Sequence, residues 1–147
     1  MDWLLPYYEV DKLTNTIKAL QAFYRGQIVV VGPVPHWIFP LRDSLFAFSR
    51  QGLMRGELPS RMGFQLNPAT EIVDKKLRNW TRESNVGYLS PLRIFCDGEG
   101  CLTRVGPLTE DFLSLDNGQH LTQSASRYLA RALQNDLMGY LPLRATK

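Results

Sequence analysis

The chain has 147 residues, of which 44% are hydrophobic and 21% charged, with a formal net charge of +3. This composition supports one domain with its own core and excludes an intrinsically disordered chain. The charge is modest and scattered, with no basic stripe interleaved with aromatics, so no nucleic-acid partner is expected.

No apolar run reaches the roughly 18 residues that a membrane helix needs. The opening MDWLLPYYEVDK has neither a basic n-region nor a long apolar h-region and does not read as a signal peptide. Val10, Leu13, Ile17, Leu20 and Tyr24 recur at helical spacing, and Gly26 stands where such a helix stops. The run Ile28 to Val31 reads as a strand buried on both faces, ended by Gly32 and Pro33. Helix, glycine and buried strand together form one unit of an α/β sheet.

Residues 36–66 read as a long loop or excursion, with a short helix within LRDSLFAFSRQGL. The arginines and glycines of this span favour a surface crossover over core. Asn67 and Pro68, followed by Glu71, form a helix start. Ala69, Ile72, Val73, Leu77 and Trp80 form one apolar face of that helix, which is expected to end near Ser84. NVGYLSP reads as a second short strand, and LRIFCD as extended chain. The last helix is expected from Thr122, its N-cap, with Ala125, Tyr128, Leu129, Ala132, Leu133 and Leu137 on one face. Arg127, Arg131 and Gln134 lie on another face, Gly139 and Pro142 end the helix, and 140–147 is a tail.

Two cysteines, Cys96 and Cys101, lie within FCDGEGCL. A disulfide, free thiols and a metal site are the alternatives. A zinc site needs about four ligands, and His36 and His120 are not in paired spacing, so no metal is expected. A disulfide would imply an oxidising compartment.

The segment LSLDNGQHLTQSASRYLARAL places Asp116 four residues before His120. A histidine at the end of a loop before a helix faces the ligand crevice of an α/β sheet. A nearby carboxylate can fix its tautomer, and Gly118 lets the intervening chain turn tightly. The pair suits general-base chemistry; spacing alone also fits a polar cap.

VVVGPVPHW, then the cysteine pair, then D…HLTQSAS before an amphipathic helix, resemble in their order the C-terminal half of the SGNH hydrolase-like domain. The version they resemble is fused to bacterial membrane acyltransferase-3 proteins that O-acetylate surface polysaccharides. The resemblance implies the C-terminal part of a three-layer α/β/α, flavodoxin-like parallel sheet, incomplete at its N-terminus. It implies a single partial SGNH-like domain over 1–147, and serine-based acyl transfer or ester hydrolysis. His120 would be the general base and Asp116 its orienting residue. The partners would be an acylated or acceptor carbohydrate and the missing N-terminal SGNH portion or a membrane acyltransferase domain. The location would be the periplasmic face of the inner membrane, with no cofactor.

Two features depart from the family pattern. The usual spacing is Asp-x-x-His, which puts Asn117 in the three-back position and makes it the alternative orienting residue. The family's nucleophile lies in a Gly-Asp-Ser block, and this sequence contains none. Ser44, Ser49 and Ser60 do not occupy the right place for it. The expected function is therefore the His/Asp half of a Ser-His-Asp triad. The alternative is a non-catalytic glycan- or partner-binding remnant. His36 reads as a packed loop histidine, with a crevice-lining role as its alternative, and Trp37 and Phe39 as core cover or a sugar-stacking surface.

Overall fold

The computed structural model describes residues 10–51, 58–116 and 120–140. It is a mixed α/β fold. Helix α1 (Val10–Phe23) leads to strand β1 (Val29–Val31), helix α2 (Leu41–Arg50) and strand β2 (Arg61–Met62). Helix α3 (Ala69–Glu83), strand β3 (Gly87–Leu89) and helix α4 (Pro91–Phe95) follow. Strands β4 (Cys96–Asp97) and β5 (Gly100–Leu102) and helix α5 (Gln123–Tyr140) complete the order.

Among the described residues the strands form two small sheets. Strands β1 and β3 pair in parallel, with Val30 opposite Tyr88. Strands β2, β5 and β4 form an antiparallel sheet in that order. The valine run reads as a strand buried on both faces, yet Val31 is half-exposed. The physical reason is that among the described residues β1 pairs with β3 alone.

The span 36–66, read from the sequence as a long loop or excursion, carries α2 and β2. It supplies Trp37, Leu41, Leu45 and Met62 to the main apolar cluster, beside Phe95, Cys101, Leu113 and Ala125. The chain at Ile38 and Asn67 is zipped by Ile38 N–H to Gln65 O at 2.9 Å and Asn67 N–H to His36 O at 2.8 Å. Residues 52–57 lie outside the described residues.

Helix α3 begins as the Asn67-Pro68 signal implies, and the Asn67 amide oxygen accepts the Ala69 N–H at 3.1 Å. It closes with Asn85 in the left-handed region at φ 52°. The Val86 N–H there reaches back to Thr81 O at 3.1 Å, an arrangement that satisfies an otherwise orphaned carbonyl. Its buried face differs from the expected one. Thr70, Val73, Asp74, Leu77 and Thr81 are buried, while Ile72 is exposed. Polar residues turn inward because Asp74 has partners waiting. Its Oδ1 accepts the Tyr88 hydroxyl at 2.7 Å and the Ser90 hydroxyl at 2.6 Å, and its Oδ2 pairs with Arg78. The network ties α3 to the carboxyl end of β3. It also explains Gly32, where a Cβ would overlap the Tyr88 hydroxyl.

LRIFCD reads as extended, but Pro91–Phe95 is a short helix. The Ser90 hydroxyl accepts the Arg93 N–H at 3.3 Å and Pro91 occupies the first turn, where its missing N–H costs nothing. The turn after it is closed by a disulfide between Cys96 and Cys101. Gly100 sits at φ 117° with the backbone of Met62 and Gly63 against its Cα, a conformation and a fit that only glycine tolerates. Arg61 clamps this hairpin, donating to Phe95 O at 2.9 Å and Gly100 O at 3.1 Å and pairing with Asp97 at 3.0 Å.

Helix α5 starts as read, with the Thr122 hydroxyl accepting the Ala125 N–H at 3.1 Å. It runs through Gly139 to Tyr140. The Tyr140 hydroxyl accepts the Tyr88 N–H at 3.3 Å and donates to Tyr88 O at 3.4 Å. One phenol thus satisfies both outward backbone groups of β3, which otherwise form an open sheet edge. Residues 141–147 of the expected tail lie outside the described residues.

Candidate active site

The site is assembled at one loop, between the buried Leu113 and the start of α5. Ser114 and Leu121 form an isolated antiparallel bridge. The Thr122 N–H donates to Leu113 O at 3.1 Å and its hydroxyl to Phe112 O at 2.6 Å. These bonds fasten the base of the loop, which brings Asp116 and His120 near each other. The Asp116 carbonyl accepts the Leu41 N–H at 2.8 Å, which docks the loop on the first turn of α2.

At the tip, His120 Nδ1 lies 2.7 Å from Asp116 Oδ2. An ionised carboxylate only accepts, so Nδ1 carries the hydrogen of this contact, and in a neutral ring that tautomer leaves Nε2 without one. The His120 side chain is 82% exposed, which leaves Nε2 open to an incoming group. Asp116 is held from its other side. Its Oδ1 accepts the Ser114 hydroxyl at 2.5 Å and the His120 backbone N–H at 3.3 Å. The Asp116 N–H in turn donates to Ser114 Oγ at 3.2 Å.

The carboxylate is therefore oriented by a buried serine and in turn orients an exposed imidazole. That is the arrangement of a general base with its tautomer fixed by a third group. The four-residue spacing is compatible with the contact, because both side chains belong to one closed loop. Asn117, the alternative orienting residue, lies outside the described residues, as does Gly118. Ser114 escaped the sequence reading. Its signal was the Ser-x-Asp spacing in SLD, which places a hydroxyl two residues before the carboxylate.

His36 stands nearby in electrostatic terms. Burial pushes its pKa below the usual 6.5, and the negative charge of Asp116 partly opposes that shift. Its Nδ1 is buried and meets no hydrogen-bond partner among the described residues. Trp37 is fully buried, whereas Ile38 and Phe39 are exposed, so of the aromatic pair only Phe39 is accessible.

Ser44 is buried within α2 and its hydroxyl donates to Phe39 O at 3.4 Å. Ser49 bonds Phe46 O at 2.7 Å. Neither meets His120. Among the described residues no three His, Cys, Asp or Glu side chains gather as metal ligands, and both cysteines are consumed by the disulfide.

Comparison with known proteins identifies the domain. The family described as "SGNH domain (fused to AT3 domains)" matches residues 5–135. A solved structure, the periplasmic domain of a lipopolysaccharide acetyltransferase from Salmonella ser. Paratyphi A, superposes with a TM-score of 0.77 at 28% identity. The match covers 88% of this chain and 49% of that one, so this chain spans about half the length of the solved domain. No curated protein matches the chain. Among the described residues no helix is long and apolar enough to cross a membrane. The chain belongs to the family of SGNH domains that occur fused to AT3 domains.

Proposed function

We propose that this chain supplies the general-base half of a Ser-His-Asp triad for O-acyl transfer to, or ester hydrolysis of, a surface carbohydrate. The observation that carries the reading is the 2.7 Å contact between His120 Nδ1 and Asp116, with the other ring nitrogen open. In this reading Nε2 takes the proton of the attacking serine and later returns it to the leaving oxygen, while Asp116 steadies the imidazolium. The serine comes from polypeptide beyond these 147 residues, since no Gly-Asp-Ser occurs among them. The disulfide fits an oxidising compartment, in keeping with the periplasmic face of a membrane acyltransferase.

The test is made in the membrane acyltransferase that carries this domain, with acetyl transfer to glycan as the readout. His120→Ala is expected to lower turnover by on the order of 10⁴-fold or more, as in triads that have been dissected. Unchanged transfer would overturn the reading. A second reading, a glycan-binding remnant without chemistry, is favoured by the absence of Gly-Asp-Ser. It predicts glycan binding by a domain whose His120→Ala variant leaves every activity of the parent intact.

A further inference from the structure

We infer that the outer face of α5 holds an anionic saccharide unit of the acceptor glycan, beside the dyad. The inference rests on the proposed function for its substrate class and on an independent groove for its location. Ser124, Arg127, Tyr128 and Arg131 recur at the spacing of a single helix face. They line an open groove of about 590 Å³, whose far wall is Val105 and Asp111. That volume lies within the roughly 300–1,000 Å³ of small-ligand sites.

The groove begins next to the chemistry. Helix α5 starts three residues after His120, and the stripe from Ser124 to Arg131 then extends about 10 Å along the helix at 1.5 Å per residue.

Its lining has the chemistry of saccharide recognition. Tyr128 is stacked against Phe95, ring centroids 6.0 Å apart. It is still 41% exposed, so a braced aromatic surface faces the groove for the apolar side of a sugar ring.

The charge selects which sugar. Neither Arg127 nor Arg131 forms an ion pair among the described residues. The one carboxylate of the lining, Asp111, already accepts the Leu108 N–H at 3.0 Å. Two guanidinium groups against one engaged carboxylate leave a positive groove. Guanidinium forks match planar carboxylates in paired hydrogen bonds, so a hexuronate-type unit fits better than a neutral one.

The experiment titrates the 147-residue chain with tetragalacturonate and with its fully methyl-esterified, uncharged form, following amide shifts by NMR. The expected result is that the charged oligomer binds, shifting α5 amides from Ser124 to Arg131, and that the ester binds at least about tenfold more weakly. R127Q and R131Q, at exposed positions that spare the fold, should each weaken binding by about tenfold, the scale of a lost charge-assisted bond. No shift along α5 at millimolar ligand, equal affinity for the ester, or full binding by R127Q/R131Q overturns the inference. Tighter binding to phosphatidylglycerol vesicles than to the oligomer overturns it too, in favour of a lipid. The outcomes separate the two readings. Absent binding with transfer lost in H120A removes the groove alone. Retained binding with transfer unchanged in H120A removes the catalytic reading and leaves the groove as an anionic-glycan site.

Discussion

Replacing Asp74 by alanine tests whether the α3–β3 junction is built as described. Asp74 is 2% exposed, and its carboxylate receives the hydroxyls of Tyr88 and Ser90 and the guanidinium of Arg78. Alanine removes the carboxylate that the three donors share, keeps the longer Tyr88 hydroxyl bond to the residue 74 carbonyl at 3.4 Å, and opens space where the carboxylate stood. Each hydrogen bond to a charged group is worth about 1.5–3 kcal/mol, and removing one member of a buried pair costs about 3–5 kcal/mol. These figures overlap rather than add. The Arg78 side chain is 31% exposed and recovers part of its hydration. A loss of about 3 kcal/mol follows, equivalent to roughly 6–12 °C in Tm at this chain length. Asn at the same position keeps an acceptor oxygen for the hydroxyls and loses the ion pair, so it should cost less than alanine. The assay is urea unfolding followed by circular dichroism at pH 7, with the m-value compared to confirm that only stability has changed. An alanine variant within about 1 kcal/mol of the parent, against the loss of about 3 kcal/mol expected here, would refute the reasoning.

Ser114→Ala should cost about 1.5–3 kcal/mol of stability for its lost bond to the Asp116 carboxylate, and should lower kcat of the proposed acyl transfer with little change in KM, since the buried Ser114 orients Asp116; a proportionate rise in KM would argue against that role. Stability should fall as pH drops below about 6.5, because burial holds His36 neutral in the folded chain while the unfolded chain takes up the proton freely. The sign follows from more protons bound in the unfolded state, which makes stability rise with pH across that window. His36→Gln should flatten the acid limb of a thermal-melt series. Replacing Cys96 and Cys101 by serine should cost about 2 kcal/mol by the loop-entropy relation and about 1–3 kcal/mol more for a hydroxyl buried at position 101 of the apolar cluster, with the dyad geometry preserved, as read by the His120 and Asp116 NMR signals.

Features carried by neighbouring residues were legible before any coordinates. The DNGQH loop is one such feature, because Asp116 and His120 meet within a single turn of chain. The helix start at Asn67-Pro68, the Thr122 cap and the valine strand are others, each set by local chemistry. Contacts between distant segments were not legible. No local pattern marks Asp74 for burial, since its partners Tyr88 and Ser90 lie 14 and 16 residues on. The β2–β5–β4 sheet has strands of two or three residues, too short to show an alternating pattern. Ser90-Pro91 carried a capping signal that the apolar run after it masked. The core role of Trp37, Leu41 and Met62 depends on α2 folding back over the disulfide hairpin, which no local period encodes.

The tautomer of one imidazole tests the proposed role of His120 most directly. Long-range ¹H–¹⁵N correlation spectra of the ¹⁵N-labelled chain, recorded with the ring neutral, report which nitrogen of His120 bears the hydrogen. The structure predicts an Nδ1–H donated to Asp116, with Nε2 unprotonated and ready to accept, and loss of this preference in Asp116→Asn. A ring protonated at Nε2, or a tautomer indifferent to Asp116, would contradict the assignment of His120 as an oriented general base.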